Sequence, residues 1–265
     1  MEVLERHHVI VSGVADAPTM LFAHGFGCDQ TMWRFVAPAF EATHRVVLFD
    51  HVGAGRANDA AFDHARYSSL QGYADDVLQI LDALGTGPVI FVGHSVSAMV
   101  GVLAARDRPE LFERLVLVGP SPRYIDDDGY RGGFTQQEID ELLETLDDNY
   151  LGWSAHIAPV IMGMPDRPEL GDELTASFCA MDPEIARRFA RTTFLSDNRD
   201  DLPDVGTPCL VVQCRDDVIA PTEVGRYVHD RLPRSTFVEI VAVGHCPNLS
   251  APDQLVEAMK AYLST

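Results

Sequence analysis

The sequence predicts an α/β protein in which a mostly parallel central sheet is flanked by helices on both faces. Three observations carry this. Apolar runs of strand length alternate with stretches of helical length, and those runs are continuously apolar rather than alternating. A Gly93-His94-Ser95-Val96-Ser97 corner joins one of them to a small-residue helix. Strands buried on both faces need no polar side, and helical crossovers supply the cover.

The elements follow in order. Residues 8–11 (HVIV) and 20–23 (MLFA) read as an opening pair of strands, and 45–50 (RVVLFD) as a third, followed by a helix over 69–84. Residues 88–92 (PVIFV) form a buried strand, 98–105 the start of a packed helix, and 114–119 (RLVLVG) the next strand. After an interruption, 208–213 and 236–241 complete the sheet, and a last helix covers 252–262. The interruption, roughly 121–202, holds no convincing strand. Its Thr135-Gln136-Gln137-Glu138 is a capping box opening a helix to about 147. Asp182-Pro183-Glu184 sets an N-cap before a proline at the first helical position and opens another to about 195. Two further helices are expected near 150–162 and 168–181. Ligands in such sheets bind beyond the carboxyl ends of the strands, so a helical insertion here reads as a lid over that site. Plain packing without gating is the alternative. The core is then 1–120 with 203–265, and the lid is 121–202; no repeat or linker divides the chain.

A chain of 265 residues with 46% hydrophobic content suffices for one sizeable core. Forty acidic residues against 20 basic ones leave a formal charge of −20, and Lys260 is the single lysine. Such a surface repels phosphate backbones and anionic bilayers, which argues against nucleic-acid and membrane partners. Solubility, as in a salty cytoplasm, explains the acidity better than an acidic functional patch. Residues 1–6 are mixed in charge with no apolar stretch after them, so no signal peptide is expected, and no run reaches membrane-spanning length. Cys28, Cys179, Cys209, Cys214 and Cys246 are odd in number and lack a CxxC pair, as fits reduced thiols in the cytoplasm.

A serine at a strand-to-helix corner sits on a sharp, strained turn that lifts its hydroxyl above the sheet edge. The N–H of the next residue, Val96, faces the same space at a helix N-terminus, where partial positive charge suits an oxyanion. The usual form of this elbow ends in glycine; Ser97 is the next smallest polar residue and preserves close packing. A serine nucleophile needs a base, and the base an orienting acid. Among ten histidines, His245 lies after the last strand and before the last helix, the expected place for the base. His229 falls in a helical stretch, and His94 points off the elbow. His7, His8, His44, His51, His64 and His156 read as surface or packing residues. For the acid, Asp217 after the penultimate strand is preferred to its neighbour Asp216, which fits a solvated turn. The chain order serine, acid, histidine suits this kind of sheet. The glycines of His24-Gly25-Phe26-Gly27 let the Phe26 N–H face the elbow, giving with Val96 a two-donor oxyanion hole; a simple glycine turn is the bland alternative. No metal or organic cofactor is implied, because His and Cys lack ligand spacing and no phosphate-binding glycine loop occurs.

These residues sit in longer stretches: HGFGCDQTMW (24–33), HRVVLFDHVGAG (44–55), FVGHSVSAMVG (91–101), RPELFERLVLVGPSPRY (108–124), GGF (132–134), NYLGW (149–153), DPEIARRFARTTFLSD (182–197), LVVQCRDDVIAP (210–221) and GHCPNLSAPD (244–253). Through them the chain resembles the α/β-hydrolases of the group containing the bacterial stress-response regulator hydrolase RsbQ and the plant karrikin and strigolactone receptors. The stretches after Gly132 look more like the bacterial regulator, and Ser97-Ala98-Met99 is closer to the plant receptors. The resemblance implies an α/β-hydrolase fold with a four-helix lid inserted after the sixth strand. It implies a nucleophile at Ser95, acid at Asp217, base at His245 and oxyanion donors at Phe26 and Val96. It also implies a deep apolar pocket with Phe26, Phe134, Leu142, Trp153 and Phe194 as substrate-binding positions.

The expected chemistry is acyl transfer from a small apolar ester or lactone, butenolide-like in character. Serine rather than aspartate at the elbow argues against dehalogenase or epoxide hydrolase chemistry; carbon–carbon hydrolysis and hydroxynitrile lysis stay open. A second expectation, from the resemblance, is a ligand sensor with slow hydrolysis that signals to a protein partner such as a PAS-domain phosphatase. A relict, non-catalytic triad is a third. A monomer or weak dimer is expected.

Overall fold

In the computed structural model, residues 2–264 are described. Seven strands share one sheet: β1 (Ile10–Gly13), β2 (Thr19–Ala23), β3 (Arg45–Leu48), β4 (Val89–His94), β5 (Phe112–Val118), β6 (Cys209–Asp216) and β7 (Ser235–Val243). Their spatial order is β1-β3-β2-β4-β5-β6-β7, with β1 alone antiparallel. Residues of β2 and β4 are all buried, as continuously apolar strands flanked by neighbours on both sides should be.

The opening strands are not a pair. β1 starts at Ile10 rather than His8 and lies against β3, matching Ile10 to Leu48 and Gly13 to Arg45, while β2 sits between β3 and β4. The fully buried β2 needs a partner on each side; β1 can serve as an edge, where Ile10 and Val11 stay exposed.

Helices pack on both faces. A short α1 (Val3–Arg6) precedes the sheet, and α2 (Leu70–Leu84) and α3 (Val96–Asp107) flank β4 in sequence. Four helices then intervene between β5 and β6: α4 (Gln136–Asp148), α5 (Tyr150–Met162), α6 (Pro168–Ala180) and α7 (Pro183–Phe194). This insertion follows the fifth strand of the sheet, not the sixth, because the chain enters the sheet by one antiparallel edge strand preceded by a helix. α8 (Thr222–Arg231), α9 (Pro247–Ser250) and α10 (Pro252–Leu263) complete the chain. Among the described residues no helix is long and apolar enough to cross a membrane.

The caps account for where the inserted helices begin. Thr135 Oγ1 accepts from the Glu138 amide at 3.2 Å while Glu138 Oε2 accepts from the Thr135 amide at 2.7 Å, a reciprocal box. Asp182 Oδ1 accepts from the Glu184 and Ile185 amides, opening α7. Aromatic rings dock these helices on the core. Phe189 of α7 stacks on Tyr73 of α2 with centroids 4.4 Å apart. The Phe26 ring, just beyond β2, meets Phe178 and Phe189 edge-on at 5.4 Å each, with Phe194 and Trp153 near 6.3 and 6.4 Å. Edge-to-face pairs of this kind add about 0.5–1.5 kcal/mol each beyond area burial.

Candidate active site

Ser95 stands at the corner where β4 ends and α3 begins. Its φ of +57° and ψ of −124° make it one of two non-glycine residues with positive φ among those described. Such a conformation costs on the order of 1–3 kcal/mol and persists only where the surroundings impose it. They do so here through the Ser95 amide, which donates to Val118 of β5 at 2.8 Å, and the Ser95 carbonyl, which accepts from Ala98 at 2.9 Å. The turn closes tightly because residue 93 is glycine: a Cβ there would lie 2.4 Å from the Ser97 carbonyl oxygen.

The loop after β7 brings His245 to this corner, and the loop after β6 brings Asp217. His245 Nε2 and Ser95 Oγ are 2.7 Å apart, as are His245 Nδ1 and Asp217 Oδ2. All three residues are buried. The other carboxylate oxygen of Asp217 accepts from the amides of Ile219 and Ala220 at 2.8 and 3.0 Å. A carboxylate so surrounded is held in one orientation as an acceptor, with Oδ2, which also accepts from Gln213 Nε2 at 3.3 Å, turned to the Nδ1 proton. Asp216 instead ends β6 with an exposed side chain, and its carbonyl accepts from Gly244.

The backbone of His245 is gripped at both ends. Its amide donates to the Ile161 carbonyl of α5 at 2.8 Å, and its carbonyl lies 2.7 Å from His94 Nε2. Since a carbonyl only accepts, His94 carries its proton on Nε2. Burial, with the His245 ring beside it, pushes the His94 pKa down to about 3, so His94 is a neutral donor over the working range. Tyr124 also reaches the corner, lining the same cavity as Ser95; burial pushes its phenol up to about 12. Neither contact is legible in the sequence. His94 reads as a mere neighbour of the nucleophile, and Tyr124 arrives from a loop beyond β5 with no periodic signal.

Beneath the elbow, Ser97 closes a ring of hydrogen bonds. Its hydroxyl donates to the His24 carbonyl at 2.5 Å and lies 2.7 Å from His51 Nε2, which must therefore donate. The His51 amide donates in turn to His24 Nε2 at 3.1 Å. His24, His51 and Ser97 are fully buried, so the ends of β2, β3 and β4 are stitched together where water cannot compete. Ser97→Gly restores the generic motif but leaves a buried imidazole donor unpaired. It is expected to cost about 1–3 kcal/mol, measured by urea unfolding, with Ser97→Thr closer to wild type.

Val96 is the first residue of α3, so its N–H lies outside the helical ladder, and Phe26 sits in the turn after β2. Above Ser95 lies a cavity of about 30 Å³, far below the ~300–1,000 Å³ of a common ligand pocket. The deep pocket implied by the resemblance does not open at this corner among the described residues. Its wall contains Ser95, His245, Tyr124, Phe26 and Phe194, together with Phe178, Ile161, Leu174 and Ile219. Phe134, Leu142 and Trp153 lie outside that wall. The Trp153 ring stands behind Phe178, 5.7 Å away, and Phe134 and Leu142 pack half-buried against the wider core. Phe178 takes the space over the turn after β2 because residue 27 is glycine; a Cβ there would strike its ring at 2.2 Å.

The chain is similar to known proteins over almost its full length. The chain is 41% identical to a probable esterase of Oryza sativa subsp. japonica, over 98% of this chain and 96% of that one. It is 40% identical to the karrikin insensitive 2 receptor CA of Petunia hybrida, with the same coverage. A solved hydrolase from Oleispira antarctica superposes with a TM-score of 0.96 at 38% identity, covering 99% of this chain and 96% of that one. The sequence profile of the alpha/beta hydrolase family matches residues 20–258, and with relatives of this similarity over almost its full length, the chain belongs to that family.

Proposed function

We propose that this hydrolase cleaves a small apolar ester or lactone by acyl transfer through Ser95, His245 and Asp217. One observation carries the reading: two consecutive 2.7 Å hydrogen bonds run from Asp217 to Ser95 and end at the wall of a buried, mostly apolar cavity. His245 Nε2 takes the Ser95 proton as Oγ bonds to the substrate carbonyl carbon. The carbonyl π pair moves onto oxygen, where the Phe26 and Val96 amides hold the oxyanion. Asp217 keeps the Nδ1 proton in place and balances the imidazolium. As the ester C–O bond breaks, His245 returns the proton to the leaving alkoxide, leaving acyl-Ser95. A water deprotonated by the same ring then attacks the acyl carbon, the bond to Ser95 Oγ breaks, and His245 returns the proton to Oγ as the acid leaves. With a lactone, the leaving alcohol stays tethered to the acyl chain.

Residues 121–202 act in this reading as a cap over a core of 1–120 and 203–265. The cavity holds on the order of two waters, so a substrate enters only when the inserted helices part from the core. A cytoplasmic setting fits the five unpaired thiols, four of them buried.

A second reading is favoured by the receptor-named relatives at about 40% identity over nearly the full chain. Here hydrolysis is slow, and cap movement on ligand binding is read by a protein partner.

A panel of p-nitrophenyl esters and five-membered lactones, followed by intact mass and peptide mapping, tests both. Many turnovers, with kcat on the order of 10 s⁻¹, mark a metabolic esterase. A single slow turnover with a raised melting temperature marks the sensor. No hydrolysis, together with no acyl mass on the Ser95 peptide, sinks the proposal.

A further inference from the structure

α7 ends with Thr193 and Phe194, and both lie in the cavity wall. Phe194 is what an apolar cavity calls for; Thr193 is not. It is 2% exposed, and its Oγ1 has no hydrogen-bond partner among the described residues. A helical hydroxyl has an easy local partner in the carbonyl four residues back. Ser154 on α5 and Thr175 on α6 both use theirs, and the adjacent Thr192 donates to the Tyr67 carbonyl. Thr193 does neither, although valine would fill the same volume without an orphaned oxygen.

Of the other wall hydroxyls, Ser95 is engaged with His245, and Tyr124 is not among the buried groups left without a partner. His94 Nδ1 is also unpaired, but it faces the oxyanion turn, where a Cβ on Gly25 would lie 2.8 Å from it. Thr193 is thus the wall residue whose buried hydroxyl is left without a partner among the described residues.

We infer that Thr193 determines specificity by hydrogen-bonding a second oxygen of the substrate. The preferred ester or lactone then carries an ether, carbonyl or hydroxyl oxygen a few atoms from the carbonyl that Ser95 attacks. A purely alkyl acyl group leaves the hydroxyl dry and unpaired, whereas an oxygenated one satisfies it, and this difference sets the preference. The inference rests on the hydrolase reading above and deepens it.

The test uses matched esters differing by one CH₂-to-oxygen exchange: p-nitrophenyl butyrate against methoxyacetate, and pentanoate against 3-methoxypropionate. Intrinsic reactivity differs within a pair, so each variant is read as the oxygenated-to-alkyl ratio of kcat/KM. Thr193→Val should lower that ratio about tenfold for at least one pair, and Thr193→Ser should restore it. An unchanged ratio in the valine variant overturns the inference. So does a melting temperature below wild type in that variant, since it would reveal a structural partner for the hydroxyl. Loss of alkyl-ester cleavage in Ser95→Ala checks the underlying hydrolase reading separately. Should wild type cleave none of the four esters, that reading fails and the specificity inference goes with it.

Discussion

Replacing Ser95 with alanine is expected to lower kcat for p-nitrophenyl butyrate by roughly 10⁶-fold, because attack and proton transfer act as one unit. Asp217→Asn should cost roughly 10⁴-fold: the amide no longer accepts the Nδ1 proton well, so His245 shifts tautomer and loses its acceptor toward Ser95. The two losses should not add in the double variant. The folded state should survive both. Ser95→Gly should be more stable than Ser95→Ala by about 1 kcal/mol in urea unfolding, since glycine accepts φ near +57° without strain. More than one percent of wild-type kcat remaining in Ser95→Ala would remove the hydroxyl from the mechanism.

Acid should weaken the fold well before the bulk of the carboxylates titrate. Burial lowers the pKa of His7, His24, His51 and His94, the last to about 3 from an ordinary 6.5. Between those two values the unfolded chain binds a proton at residue 94 and the native chain does not. Stability therefore rises with pH across that window and levels off above 6.5. The slope is about 1.4 kcal/mol per pH unit for one such group, so His94 alone accounts for about 2 kcal/mol between pH 6.5 and 5. The other three act in the same direction, against the opposing pull of Asp50 on His24 and Asp76 on His7. Urea midpoints at pH 7 and 5 measure the effect. His94→Gln, which keeps a donor for the His245 carbonyl but does not titrate, should show a shallower dependence. Equal stability of wild type at both pH values would contradict the argument.

What can be read from the chain is mostly local. Thr135 and Asp182 announce helix starts because their partners lie two or three residues away. The elbow is legible because strand, corner and helix are contiguous. His245 and Asp217 are reachable through position, each just beyond an apolar strand. Pairing of β1 with β3 is not legible, because it is decided by which strand must be buried on both edges. Phe178 and Tyr124 stay hidden because only the packed arrangement brings them to Ser95. Phe134, Leu142 and Trp153, taken from resemblance, fall outside the cavity wall, where the rings of Phe26, Phe178 and Phe194 occupy the space.

Phe26 joins two ends of the molecule in a single residue. Its ring touches three inserted helices through Trp153, Phe178, Phe189 and Phe194. On the mechanism proposed here, its amide greets the anionic intermediate. Ring and amide hang from one Cα, and the ring is packed between several helices, so on that mechanism a roof movement that carried the Phe26 backbone along would tilt the donor. Thermodynamic reciprocity then requires the converse: negative charge gathering at that amide must fasten the roof by the same factor by which a fastened roof favours the charge.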